Sequence, residues 1–130
     1  MSTVAEQVAA HIATDNPTFI LKTYPTGAPE NIPAGKVAVH VHRETLNKAS
    51  ANVLGHALKI TLIIPGDIFS TANETRLEAA LDDLLFSLES FPGLQWKSAD
   101  RSTAGEKYAN AYEISAEASS VNVYRPTHTP

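Results

Sequence analysis

Leu77, Ala80, Leu81, Leu84, Leu85 and Leu88 recur at steps of three and four, a spacing that an α-helix gathers into one stripe. No strand can do this, because a strand sends alternate side chains to opposite faces. Thr71-Ala72-Asn73-Glu74 stands ahead of the stripe with the spacing of a capping box, predicting Thr71 as N-cap. Pro92-Gly93 closes the helix behind it. Glu78, Asp82, Asp83 and Glu89 fall off the stripe, on a solvated face. Apolar residues elsewhere in the chain mostly alternate, so one strong helix is set among strands.

Three strand-like runs precede it. In residues 18–24, Phe19 and Leu21 share one face and Ile20, Lys22 and Tyr24 the other. Residues 36–43 put Val37, Val39 and Val41 inward and Lys36, Ala38, His40 and His42 outward. Residues 56–64 offer Leu58, Ile60, Leu62 and Ile64 to the core and Lys59, Thr61 and Ile63 to the other side. Two runs follow the helix, residues 94–101 and 108–123, around a turn at 102–107 that contains Gly105. Trp96 anchors the first; Tyr112, Ile114, Ala116 and Ala118 alternate with Glu113, Ser115 and Glu117 in the second. Ahead of all these, Thr3-Val4-Ala5-Glu6 is a second capping box, opening a helix that runs to about Thr14, with Val4, Val8 and Ile12 on one side. Asn16-Pro17 stops it.

Residues 25–35 carry three prolines and two glycines and predict an extended loop; residues 44–55 are polar and predict a second long connection. The reading is a single α+β domain over residues 1–123, in the order α-β-β-β-α-β-β, with a mobile tail at 124–130. About five mostly antiparallel strands form its sheet, and two helices pack on one face. The other sheet face is expected to stay open, half apolar and half charged, for solvent or another chain. Ile20, Tyr24, Ala38, His40, His42, Lys59, Thr61 and Ile63 are its candidate subunit-interface residues.

Charge and composition narrow the functions. Fourteen acids against ten bases give −4, and the bases stand singly, so the chain lacks the basic stripe that phosphate neutralisation needs. Without cysteine there is no disulfide, thiolate metal site or thiol nucleophile. The longest apolar run, 62–65, is far too short to span a bilayer. Residues 1–6 lack the pattern of a signal peptide, so cytosolic synthesis is expected.

One constellation invites a metal assignment. His40 and His42 project from one strand face about 7 Å apart, with Glu44 and His56 as further candidate ligands. The pair resembles that of cupin barrels, but the cupin glutamate lies further downstream and the cupin fold has more strands. The expectation is therefore a solvent-facing or interface pair, with no metal and no cofactor. Trp96 and Tyr112 read as core aromatics. Ser87, Ser90 and Ser98 have no nucleophile-elbow context, and the glycines stand alone rather than forming a phosphate loop. The chain is not expected to be an enzyme.

The succession over residues 18–124 resembles the tail terminator proteins of long-tailed bacteriophages. The residues carrying the likeness are the proline-broken loop 24–35 before Val37-Ala38-Val39, the strand 55–65, the helix 77–85, and Trp96-Lys97-Ser98-Ala99 followed by Tyr108-Ala109-Asn110-Ala111-Tyr112. The resemblance implies a homo-oligomeric ring, hexameric in that family, which caps the tail tube, stops its polymerisation and offers a docking surface for the head. Implied partners are the tail tube protein and a head-to-tail connector or stopper protein. DNA would pass through the lumen without specific binding, and no membrane is involved. The implied location is the virion neck, after assembly in the host cytoplasm. Connector and stopper proteins, related in fold and position and not separated from terminators by sequence pattern, are the alternative; a small metal-dependent enzyme using His40 and His42 is the lesser one.

Overall fold

The computed structural model describes residues 3–24, 32, 33, 35–65, 70–104 and 108–121. Its elements run α1 (Val4–Asp15), β1 (Ile20–Lys22), β2 (Ala38–Lys48), β3 (Val53–Ile64), α2 (Thr71–Glu89), β4 (Leu94–Ala104) and β5 (Tyr108–Val121). The order is the expected one, and the fold is α+β.

The strands form one sheet in the order β1-β2-β3-β5-β4. Only the β1–β2 pair is parallel; the remaining pairs are antiparallel. Val39 and Val41 of β2, the even residues Leu58 to Ile64 of β3, and Ile114, Ala116 and Ala118 of β5 all face the helices. Val8 and Ile12 of α1 and Leu77, Leu84 and Leu88 of α2 meet them, fully buried. Leu85 lies at the margin of this core, with Trp96 and Tyr112, each of which keeps a polar atom outward. The indole of Trp96 donates to Glu89 at 2.8 Å and the Tyr112 hydroxyl to Glu78 at 2.8 Å. Two carboxylates off the leucine stripe thus tie α2 to the sheet rather than serving only as solvated charge.

At the start of α1 the Thr3 hydroxyl accepts from the Glu6 amide and the Glu6 carboxylate from the Thr3 amide, closing the expected box. α2 corrects its expectation. Ser70, not Thr71, is the N-cap, accepting from the Asn73 amide. Glu74 is drawn away to Arg101, whose guanidinium lies 2.6 and 2.8 Å from its two oxygens. After the C-cap at Ser90, Gly93 turns the chain into β4 at φ +77°, a left-handed conformation that glycine adopts without a Cβ penalty.

A second correction concerns residues 44–55, which are not a loop. β2 continues to Lys48, a short turn follows, and β3 begins at Val53. The β2 register shifts between Arg43 and Thr45, so Glu44 is an extra, bulged residue. Arg43 and Leu46 then face the same side although three positions apart. The hairpin runs three residue pairs beyond Leu94, where β4 begins, through Gly55–Ser119, Leu54–Ser120 and Val53–Val121. The expected tail at 124–130, and most of the expected loop at 25–35, lie outside the described residues.

Candidate functional site

The sheet face opposite the helices is the expected interface, and strand pairing arranges it in rows. Ile20, Ala38, Ile63, Ala111 and Ser102 form the first row across all five strands. Lys22, His40, Thr61, Glu113 and Asp100 form the second, and His42, Lys59, Ser115 and Ser98 the third.

These rows differ in exposure. In the first, Ala38, Ile63 and Ala111 are buried and pack with Ile32 into a small second core that Ile20 flanks. In the second, His40 is 1% and Thr61 4% exposed. His40 Nδ1 lies 2.9 Å from the Tyr24 carbonyl, and the Tyr24 ring meets the imidazole edge-on at 5.4 Å. This corrects the expectation of a face left open along its length: Ala38, His40, Thr61 and Ile63 are already buried within one chain. Ile20, His42 and Lys59 remain partly exposed, and Tyr24 is exposed.

The open part is polar and largely paired with itself. Lys59 Nζ lies 3.0 Å from Glu113 and 3.6 Å from Glu44, the bulged residue, and these carboxylates hold the ammonium above its ordinary pKa. Lys97 reaches Glu117 at 3.6 Å. The side chain of His42 stands among Glu44, Lys59, Glu113 and His40, its Nδ1 buried without a hydrogen-bond partner, and desolvation holds its pKa below the usual value.

The metal candidates do not converge. His40 and His42 share a face, as expected, but His56 faces the helix side and Glu44 turns to Lys59. Among the described residues no group of three or more His, Asp or Glu side chains is placed to hold a metal ion. His56 is instead locked at the end of the sheet. Arg43 can only donate, so His56 Nδ1 accepts from it at 3.4 Å, and Nε2–H donates to Ser120 Oγ at 2.7 Å. Burial, then the Arg43 charge, depresses the His56 pKa.

A cluster that sequence spacing did not reveal joins the helices. His11 Nε2 lies 3.0 Å from the Ser87 carbonyl, 2.8 Å from Ser90 Oγ and 3.5 Å from Asp15; Ser87 Oγ donates to Asp15 at 2.7 Å. The residue types are those of a nucleophilic triad, but the geometry is not. A triad needs the carboxylate on one ring nitrogen and the serine on the other. Here both meet Nε2, which must carry a proton to satisfy the Ser87 carbonyl, and Ser90 Oγ spends its own proton on that carbonyl at 2.8 Å. The cluster fastens the C-terminal turns of α1 and α2 together. No signal in the sequence pairs residues 72 to 79 positions apart.

A pH dependence follows from the two depressed histidines. Each binds a proton less readily in the folded chain, through burial, than the unfolded imidazole, which titrates near 6.5. The unfolded state therefore binds more protons below that value, and stability should be complete above it and decline as pH falls. The urea midpoint is expected to drop between about pH 7.5 and about pH 5.5, with a shallower decline in His56→Gln. An unchanged midpoint across that interval would refute this.

A scan against protein-family models finds no matching family, and a search of curated proteins finds no match. No helix among the described residues is long and apolar enough to cross a membrane.

Proposed function

We propose that this protein is a structural ring subunit of a phage tail, acting as a tail terminator that seats on the last ring of the tube and presents a surface to the head. It works by shape, with no catalytic residue and no cofactor. The head-to-tail connector or stopper role is the alternative within the same assembly class. The five-stranded sheet and the order α-β-β-β-α-β-β agree with the resemblance noted above.

One observation carries the reading: among the described residues, large apolar side chains stand exposed on unlike surfaces of the body, Tyr24 beside the sheet face opposite the helices among them. Phe86 of α2 is 76% exposed, and Val121, paired with Val53 at the far end of the sheet, is 75% exposed. Two different contact surfaces on one subunit are what head-to-tail association requires, and rotation that closes gives a ring. The net charge of −4 also suits a lumen through which DNA slides, since like charge discourages adhesion.

Light scattering on the purified chain, alone and with tail tube protein, tests this. Six chains of 13.9 kDa predict a species of about 83 kDa. Monomer alone under both conditions would overturn the proposal.

A further inference from the structure

Backbone hydrogen bonds are left unmade at the two edges of the sheet. β4 ends the sheet on one side. On the other, β1 pairs only with Ala38, Val39 and His40 of β2, and the Tyr24 carbonyl then meets His40 on the face opposite the helices. Among the described residues, no strand pairs with the outer side of β2 from Val41 to Lys48.

Backbone N–H and C=O groups alternate in direction along a strand, so two hydrogen bonds fix which residues point outward from the sheet. The Val37 carbonyl accepts from the Ile20 amide at 2.8 Å, which directs Val37, and with it Val41 and Arg43, away from β3. Past the bulge at Glu44, Leu46 and Lys48 point outward too, opposite His56 and Leu54. The Gly93 carbonyl accepts from the Ser119 amide at 3.0 Å, so Gln95 points to β5 and Leu94 and Trp96 away from it. Lys97 is the extra residue where the β4 register shifts, and beyond it Ala99 and Arg101 point outward. The outward residues are therefore Val41, Arg43, Leu46 and Lys48 on one edge, and Leu94, Trp96, Ala99 and Arg101 on the other. Both series step by two, three and two, and in both the side chains lie on the helix side of the sheet.

We infer that β2 of one copy pairs antiparallel with β4 of a second copy, joining their sheets edge to edge around the ring. Val41 meets Arg101, Arg43 meets Ala99, Leu46 meets Trp96 and Lys48 meets Leu94. In this register every outward residue faces an outward residue, the two bulges coincide, and helix-side side chains stay on the helix side. A slide of two residues in either direction sets outward residues against inward ones between the bulges. A bulge ordinarily guards an edge by putting it out of step with a regular strand. Here the same shift turns regular strands away and admits one that carries a matching shift, which β4 of another copy supplies. Glu44 and Lys97, the two extra residues, are exposed and opposite in charge. β2 and β4 run in opposite directions within one chain, so a rotation about an axis along the strands brings them together antiparallel. β1 ends the ladder at Val41, and β4 has its second register shift just past Arg101, between Ser102 and Ala104. The inference rests on the ring reading above and names the contact that closes it.

Disulfide trapping tests the register, because the native chain has no cysteine. Asn47 and Gln95 are exposed and face each other in the inferred ladder as a pair without mutual hydrogen bonds, with Cα atoms about 4.5 Å apart. Within one chain β3 and β5 stand between them, a separation of about 14 Å that no disulfide spans. Asn47→Cys with Gln95→Cys, oxidised at a concentration where the native chain assembles, is expected to give a series of covalent multimers on a non-reducing gel. Asn47→Cys with Asp100→Cys, two side-chain rows out of register, is expected to give none. Ala99→Pro removes an outward amide that β5 does not use, so circular dichroism is expected to stay native while light scattering shows assembly weakened more than tenfold. Multimers from both cysteine pairs alike, multimers from neither, or an Ala99→Pro chain that assembles like the native one overturn the edge pairing and leave the ring proposal standing. A native chain that stays monomeric throughout overturns both.

Discussion

Ile60→Ala is expected to cost about 3–4 kcal/mol, the upper part of the range for truncating a buried isoleucine. Ile60 is fully buried in β3, the middle strand of the five, and pairs with Val41 on one side and Ile114 on the other. α1 and α2 lie over the same core. A cavity there is bounded by two hydrogen-bonded strands that cannot move inward without breaking their ladders, so relaxation recovers little. Small domains hold together by roughly 5–15 kcal/mol, so the change removes a large share of the total. Urea unfolding should show a midpoint lowered by about 1–3 M at constant slope. A loss below about 1 kcal/mol would mean that the site collapses freely.

Ile63→Ala separates two accounts of the opposite face. Ile63 points away from the helices, and a residue reserved for a neighbouring subunit would contribute little to the stability of the isolated chain. It is instead 2% exposed within one chain, packed with Ala38, Ala111 and Ile32. The variant is therefore expected to lose about 2–3 kcal/mol when dilute and monomeric. That loss should not depend on protein concentration, whereas stability drawn from association would. Urea titrations at two concentrations read both quantities. A variant as stable as the native chain when dilute would return Ile63 to the interface.

The sequence made legible whatever keeps a regular period. The leucines of α2, the even residues of β3 and the alternation from Tyr112 to Ala118 each repeat over several positions, and each faces the core as read. Thr3 and Glu6 were legible too, because their box closes within one turn. Failures occurred where a local signal met a distant partner or a break in phase. Glu74 had the spacing to reach back to Thr71 but pairs with Arg101, 27 positions away, and Ser70 takes the cap. The bulge at Glu44 changes the phase of β2, so Leu46 no longer alternates with Val41 and a strand reads as a polar connection. The expected interface had the correct orientation, since Ala38, His40, Thr61 and Ile63 do turn from the helices. Its burial was illegible because the covering residue, Ile32, sits in a proline-broken segment with no period of its own.

The last strand made is not the last strand in the sheet. β5 lies between β3 and β4, pairing Val53 with Val121 across 68 positions. During synthesis the first three strands emerge with one flank of β3 bare, and they stay so until the C-terminal quarter of the chain arrives. Such a flank invites strangers to pair with it. Contacts that distant also slow folding. A nonsense codon between Ala104 and Tyr108 would therefore leave β4 without the strand that joins it to β3.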